Sequence, residues 1–308
     1  MSRFCLHTYA LYLVLLSSCN NGYFKNDYTD NSPTSGKLKV YCDEGFAAHA
    51  KNQALTFEGQ YPKASIEVVA ASDIAAVNAL FNDSCKAIFI SRELNDDEKK
   101  SFASRTLNPR YTEVAYSGIA LITHTATPIN KLMKAQVRDL ITLPFVCVDS
   151  INNTTKLTAV FDHQQSSVTQ YLKITVAEGK AFSQNCSALG STQELLEYIA
   201  KTPNAIGFMD FAFLSDRDDP AYKEWMKKLK FIPVGAGNGL YVEPNQSSFK
   251  TGEYPFTRKV YLYPQAPEFS LAKGFQTFVA GPKGQMTFLK QGLLPFKQKE
   301  RNIEVKLE

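Results

Sequence analysis

The chain has little of what metal-dependent, redox or covalent chemistry needs. Its 4 histidines form no H-x-x-x-H pair and have no carboxylate cluster beside them, so a zinc-type ligand set has no starting point. No two of its 6 cysteines stand at the C-x-x-C spacing of metal or redox sites. A Gly-x-Ser-x-Gly elbow is missing and no nucleophile with an adjacent base can be named, which argues against a hydrolase and against an enzyme in general. Gly235-x-Gly237-x-Gly239 has neither the dinucleotide spacing nor the Lys-Ser/Thr ending of a phosphate loop, and no cofactor is expected. Charge of one sign does not dominate either: 34 Lys and Arg are spread among 30 Asp and Glu, a net +4, so there is no basic face to demand nucleic acid. Internal repeats, coiled-coil heptads and low-complexity tracts beyond the first residues are absent.

What is present begins with Arg3 and the apolar run Tyr9 to Leu16. It is far shorter than the roughly 20 residues of a membrane span and suits a secretory signal. Leu16-Ser17-Ser18-Cys19 resembles a bacterial lipobox, which would make Cys19 the acylated first residue of the mature chain; the alternative is an ordinary signal with a coincidental cysteine. Residues 20–36 are mostly Asn, Asp, Ser, Thr, Gly and Pro, a composition that cannot offset its ordering entropy by burial and reads as a tether. Removing Arg3 with the signal leaves 33 basic residues against 30 acidic ones, a mature charge of +3. The remaining cysteines are Cys42, Cys85, Cys147 and Cys186; the first three lie in apolar, strand-like contexts, where buried free thiols are the expectation.

From Lys37 onward, strand-like and helix-like segments alternate. Lys37–Cys42, Ile66–Val69 and Ala87–Ile90 read as strands, each followed by a turn and a helix: Phe46–Glu58, Ile74–Phe81 capped by Asp73, and Asp96–Ser104. Val114–Thr123 is a long apolar strand broken at Ser117-Gly118, with the length of a segment crossing between lobes. A second alternating set follows: helix Lys134–Thr142, strand Leu157–Phe161, helices Ser167–Val176 and Thr192–Ala200, strand Ala205–Met209 and helix Pro220–Leu229. Phe231–Val234 would return to the first lobe, with strand Arg258–Tyr263 and helices Leu271–Ala280 and Gln285–Gln291 closing it. The expected fold is α/β and two-lobed, with mainly parallel sheets flanked by helices and a hinge between the lobes. The expected boundaries are a signal over 1–18, a tether over 19–36, lobe I over 37–123 and 235–308, and lobe II over 124–234. In such sheets ligands lie beyond the carboxyl ends of the strands, here the turns after Cys42, Ile90 and Phe161.

Several stretches, in order, resemble the phosphate-binding proteins of ABC transporters, of the type 2 periplasmic-binding-protein fold, and in particular a lipoprotein branch of Bacteroidetes type. They are Asp43-Glu44-Gly45-Phe46, Ala87 to Arg92, Tyr116 to Ile122, Phe161 to Leu172, Lys201 to Phe208, Tyr254-Pro255-Phe256-Thr257-Arg258, and Gly284-Gln285 with Gly292 to Pro295. Each piece alone is unspecific; their order and spacing from about Lys37 to Phe296 carry the likeness. The resemblance implies an exported, periplasm-facing and lipid-anchored monomer that closes on phosphate or a related small oxyanion and delivers it to an ABC permease. The competing reading is a degenerate member that acts as a sensor or surface assembly partner without binding phosphate.

An anion stripped of water needs convergent donors, and amides at helix starts supply them. Three junctions fit. At Gly45 and Phe46 the resemblance implies N–H contacts, although Asp43 and Glu44 also read as plain helix-start charges. Ser91 can donate a hydroxyl and Arg92 a charge-assisted fork, or both are simply a strand end. Ser166, Ser167 and Thr169 lie where the family carries a hydroxyl-rich helix start, a role compatible with capping. Two positions depart from the pattern. Ser117 stands where family members carry an aspartate that accepts the proton of hydrogen phosphate, and Gln170 stands where an arginine is expected. His163 is a weak further candidate.

Overall fold

The computed structural model describes residues 31–144 and 157–297. The expected signal, the lipidation site Cys19, residues 20–30 of the tether and Cys147 lie outside the described residues.

In chain order the first elements are β1 (Gly36–Asp43), a tight turn of 3-10 helix at Glu44–Phe46, α1 (Ala47–Gln60), β2 (Ala64–Ala71), α2 (Asp73–Phe81), β3 (Ala87–Ile90), α3 (Asp96–Ser104) and β4 (Thr112–His124). Next come β5 (Leu132–Met133), α4 (Lys134–Thr142), β6 (Thr158–Phe161), α5 (Ser167–Tyr171), β7 (Cys186–Ala188), α6 (Thr192–Ile199) and β8 (Ala205–Asp210). The remainder is α7 (Pro220–Trp225), β9 (Leu229–Phe231), β10 (Val234–Gly235), β11 (Tyr241–Val242), α8 (Gln246–Lys250), β12 (Thr257–Pro264), α9 (Leu271–Ala280), α10 (Pro282–Lys290) and β13 (Leu294–Pro295).

The main sheet runs β2-β1-β3-β12-β4-β8-β6-β7, with β13 and β9 also paired to β4. β1 is parallel to β2 and β3, and β6 is parallel to β7 and β8. β12 and β4 run against their neighbours, so the fold is a mixed α/β sheet with parallel flanks under helices. β4 is the strand that joins the two halves. It pairs with β12 as far as Gly118 and with β8 from Ile119 onward. Burial on both faces of β4, unbroken from Ser117 to Thr123, explains why this stretch reads as a continuous apolar run rather than an alternating one.

The elements follow the sequence pattern with local differences: Phe231–Val234 does not return the chain to the first half but pairs with the far end of β4 and with β5, and three helix boundaries move. Ser72, not Asp73, caps α2: its Oγ accepts the Ala75 N–H at 3.3 Å, and Asp73 is the buried first residue of the helix. α7 ends at Trp225 because Leu229–Phe231 leaves the helix to pair with the end of β4. α10 begins at Pro282 rather than Gln285, since proline's fixed φ suits the first helical position. Cys42 and Cys85 are buried free thiols and Cys186 is a half-buried one.

His49 of α1 ties the two halves together. Its Nε2 lies 2.9 Å from the Ala212 carbonyl oxygen and 3.0 Å from Ser215 Oγ, and its Nδ1 3.2 Å from Gln291 Oε1. Ser215 Oγ in turn donates to the Gln291 carbonyl oxygen at 2.7 Å. The adjacent Gly292 has φ +82°, and a Cβ there would lie 2.0 Å from the Ser215 oxygen. Gly292→Ala therefore meets both backbone strain and a backbone clash, and it should destabilise the fold by about 3 kcal/mol. Urea unfolding would check this, and a loss below about 1 kcal/mol would show that the turn yields.

Candidate functional site

Three strands that reach the junction between the half-sheets, β1, β6 and β8, end in an aspartate or are followed by one. At the end of β1, Asp43 is buried and its Oδ1 accepts the Gly45 N–H at 3.0 Å. Glycine is required at position 45 because a Cβ would lie 2.6 Å from the Cβ of Asp210. At the end of β8, Asp210 Oδ1 accepts the Ala212 N–H at 2.8 Å and the Ser117 hydroxyl at 2.5 Å. Its Oδ2 makes a buried ion pair with Arg258 of β12. Arg258 Nη1 donates to Ser167 Oγ at 3.1 Å, in the first turn of α5, while its Nε meets no partner. The Ser167 hydroxyl also favours the charged form of Asp43. Ser117, Asp210, Arg258, Ser167 and Asp43 thus form one buried polar chain that crosses from one half-sheet to the other.

After β6, Asp162 Oδ1 accepts the His163 N–H at 2.8 Å and the Ser166 hydroxyl at 2.6 Å. Ser166 Oγ caps α5 by accepting the Thr169 N–H at 3.1 Å. After β3, the buried Ser91 Oγ has no partner. Arg92 forks onto Glu98 at 2.7 and 2.9 Å. Its Nε lies 3.5 Å from Asp73 Oδ2, yet neither Asp73 oxygen accepts a hydrogen bond.

Among the described residues the buried acidic side chains are Asp43, Asp73, Asp162 and Asp210, and Arg258 is the one buried Lys or Arg. Burial without matching cations disfavours the ionised form. Asp73 is pushed up to about 8 by burial and then by the charge of Asp43. Asp162 is pushed up to about 7, again chiefly by burial, against the opposing help of the Ser166 hydrogen bond. Asp43 is raised by burial and by Asp210, with Arg258 acting in the other direction. Between the half-sheets lies a cavity of about 420 Å³, lined by Asp43, Glu44 and Ser72 on one side and Asp162, His163 and Ser166 on the other. Among the described residues no lysine or arginine lines it.

The residues expected from sequence fall into three groups. Ser117 and Ser167 belong to the polar chain, Gly45 donates its N–H to Asp43 of that chain, and Ser166 lines the cavity, with Ser91 unpaired at the same sheet edge. The Phe46 side chain is core, packed on Phe89 and Phe288 with ring centroids 5.4 and 5.7 Å away. Thr169 and Gln170 line a separate cavity of about 660 Å³ with Phe161, Lys173 and Phe182, and Arg92 is engaged by Glu98. Sequence reasoning passed over Asp162, Asp210 and Arg258. A signal did exist: Asp43, Asp162 and Asp210 each directly follow a buried strand segment, Val40–Cys42, Ala159–Phe161 and Ala205–Met209.

Residues 29–283 match the PBP superfamily domain. The chain is 22% identical over 299 residues to the phosphate-binding protein PstS of Pseudomonas aeruginosa, covering 91% of this chain and 89% of that protein. Among solved structures, a protein assigned as a phosphate ABC transporter substrate-binding protein from Clostridium perfringens, with bound phosphate, superposes with a TM-score of 0.69. It is 20% identical and covers 85% of this chain and 100% of its own. An ABC-type phosphate transport receptor from Vibrio cholerae superposes with a TM-score of 0.64 at 14% identity, covering 84% of this chain and 100% of its own. At these identities the structures share the fold.

Two outcomes follow from the electrostatics. Asp162 holds its proton to about 7 in the fold and to about 4 when unfolded, so its contribution is fully present below the unfolded value and lost as pH rises through the folded one. Asp162→Asn removes that loss, and its stability relative to the parent should improve by roughly 2 kcal/mol between pH 5 and pH 8, read from urea midpoints. A difference that does not change with pH would remove the assignment. Asp210→Asn instead leaves the Arg258 charge buried without its counter-ion and should destabilise by about 3–5 kcal/mol; a change below about 1 kcal/mol would show that the pair holds nothing.

Proposed function

The chain belongs to the family of the PBP superfamily domain, and from that premise we propose that it is the substrate-binding protein of an ABC importer, taking phosphate or a related small oxyanion into the cleft between its half-sheets. The observation that carries this reading is the meeting of hydroxyl- and amide-bearing turns from both halves around the Ser117–Asp210–Arg258–Ser167 chain. Similarity along nearly the whole chain to a phosphate-binding protein supports it.

In this reading the protein acts outside the cytoplasm as a monomer, with Cys19 as the point of lipid attachment and a membrane permease as its partner. Residues 37–123 with 235–308, and residues 124–234, are the two lobes that close on the guest, with β4 as a crossing strand between them. Gly45, Ser91, Ser117, Ser166 and Ser167 are the contact residues in this reading, with Phe46 contributing through its backbone; Ser166 lines the cavity, while the Gly45 N–H and the Ser117 hydroxyl are engaged by Asp43 and Asp210. Thr169, Gln170 and Arg92 would reach the guest only after rearrangement, because their side chains are engaged or face elsewhere.

One observation favours the second reading, a sensor or assembly partner that binds no phosphate: among the described residues the cavity lining is acidic and carries no lysine or arginine. A thermal-shift and calorimetry panel on the purified chain, with phosphate, sulfate, molybdate, phosphonates and carboxylates, separates the two. The importer reading expects one site per chain and, at a concentration of 100 times Kd, about 2.7 kcal/mol of added stability. Lack of a shift with every anion in the panel would leave the second reading.

A further inference from the structure

A groove remote from the cleft lies where the described chain enters the fold. It has a volume of about 780 Å³, and Pro33, Tyr61, Phe278 and Pro282 give it apolar walls. Phe269 stands at its rim, 85% exposed, more than any other large apolar side chain among the described residues. A single exposed ring needs no explanation by itself, but this one lies beside a fixed exit of the chain. Asn31 Oδ1 accepts the Leu271 N–H at 3.1 Å in the first turn of α9. Gly274 of the same helix has no room for a side chain, because a Cβ would run into the Pro33 carbonyl oxygen. Ser32 and Ser35 close the turn between these contacts, with their hydroxyls 2.8 Å apart and their backbones bridged. The segment from Asn31 to Ser35 is thus fastened to α9, and the chain toward Cys19 leaves from this groove.

We propose that this groove is the face the protein lays on the membrane surface, with the Phe269 ring entering the boundary between headgroups and acyl chains. This rests on the lipid attachment at Cys19 proposed above. Cys19 and Asn31 are 12 residues apart, a stretch that spans at most about 43 Å, so an acylated Cys19 keeps the bilayer near this exit. A surface held at that range meets the groove at a high effective concentration, and a contact too weak to recruit a free protein then suffices. The rim suits an anionic lipid surface: the Phe269 ring supplies apolar area, and the ammonium groups of Lys273 and Lys283 can reach phosphate headgroups along their apolar stems. Lys283 Nζ donates to Gln60 Oε1 at 2.8 Å, and among the described residues no carboxylate pairs with it, whereas Lys273 Nζ lies 3.5 Å from Glu268. The groove is at the amino end of β1 and Asp43 at its carboxyl end, 8 residues on or about 25 Å away. A protein resting on this face turns the cleft away from the bilayer, toward the solution from which a guest arrives.

The test uses the full chain, made in a lipid-modifying bacterial host and reconstituted in vesicles of phosphatidylethanolamine and phosphatidylglycerol. Mass spectrometry first establishes whether Cys19 carries acyl chains. Phe269→Trp then adds a reporter to the chain's single native tryptophan, Trp225. Lipids brominated on their acyl chains should quench the added emission at least twofold, while the emission of Trp225 in the parent changes little. Vesicles should also slow amide exchange over residues 266–278 at least fivefold in the parent, and Phe269→Ser, at a position exposed enough to leave folding intact, should remove most of that slowing. If the chain is acylated but the added emission is not quenched, or the slowing survives in Phe269→Ser, the membrane face falls and the lipid attachment stands. An added emission that is already that of a buried indole without vesicles also overturns the proposal: it assigns the groove to a second copy if it depends on protein concentration, and to residues 20–30 of the same chain if it does not. If Cys19 carries no acyl group, the lipid attachment falls and the membrane face with it.

Discussion

The Arg258–Asp210 ion pair is the constraint on which the junction depends. Arg258 lies opposite Ser117 in the β12–β4 register, and Asp210 lies opposite Ile119 in the β8–β4 register. The two charges therefore reach each other across β4 at the point where it changes partners, with the Ser117 hydroxyl beside them. Gly118 sits between, where a Cβ would lie 2.9 Å from the Phe249 ring and 3.1 Å from the Phe256 carbonyl oxygen. Buried pairs of this kind add little net stability over a well-packed apolar replacement, but they are expensive to break singly. In this chain the pair fixes where β12, β4 and β8 stand relative to one another, and hence where the turns after β1 and β6 face.

Around that pair the chain places more negative charge than it neutralises. Two unit charges 4 Å apart interact by about 4 kcal/mol at the effective dielectric of a protein surface, so ionised Asp43, Asp73 and Asp162 in one buried region oppose each other strongly. Three things can relieve the repulsion: protons, rearrangement, or a guest of suitable charge. The fold already uses the first, since the acids hold protons near neutrality. Ser117 is itself tied to this negative charge, since its hydroxyl donates to Asp210 of the next strand.

The alternation of strands and helices, the crossing strand and the turns at the carboxyl ends of β1, β3 and β6 were all legible in the sequence, because each depends on periodicity and local capping within a dozen residues. The contents of the junction were less so. Arg258 and Asp210 are 48 residues apart and Ser117 and Asp210 are 93 apart; no local pattern announces such pairings. Asp73 reads as a cap because aspartate before an apolar helix usually is one, and only the neighbouring Ser72 taking that place turns Asp73 inward. Arg92 and Gln170 show the converse: a plausible side chain at the right position along the chain is engaged by Glu98 in one case and faces another cavity in the other.

Ser167 shows how closely closure and chemistry are joined. One hydroxyl oxygen accepts from Arg258, on a strand of the first half-sheet, while sitting on a helix of the second, and it bears on the charge of Asp43. Should the cleft open, as the proposed function requires, Ser167 and Arg258 stand on opposite sides of that movement, and an Asp43 exposed to water would have a lower proton affinity. Ser167, the Arg258–Asp210 pair and His49 all join the two halves, so under the proposed function a guest that binds the closed arrangement better than the open one shifts the balance by that difference in affinity.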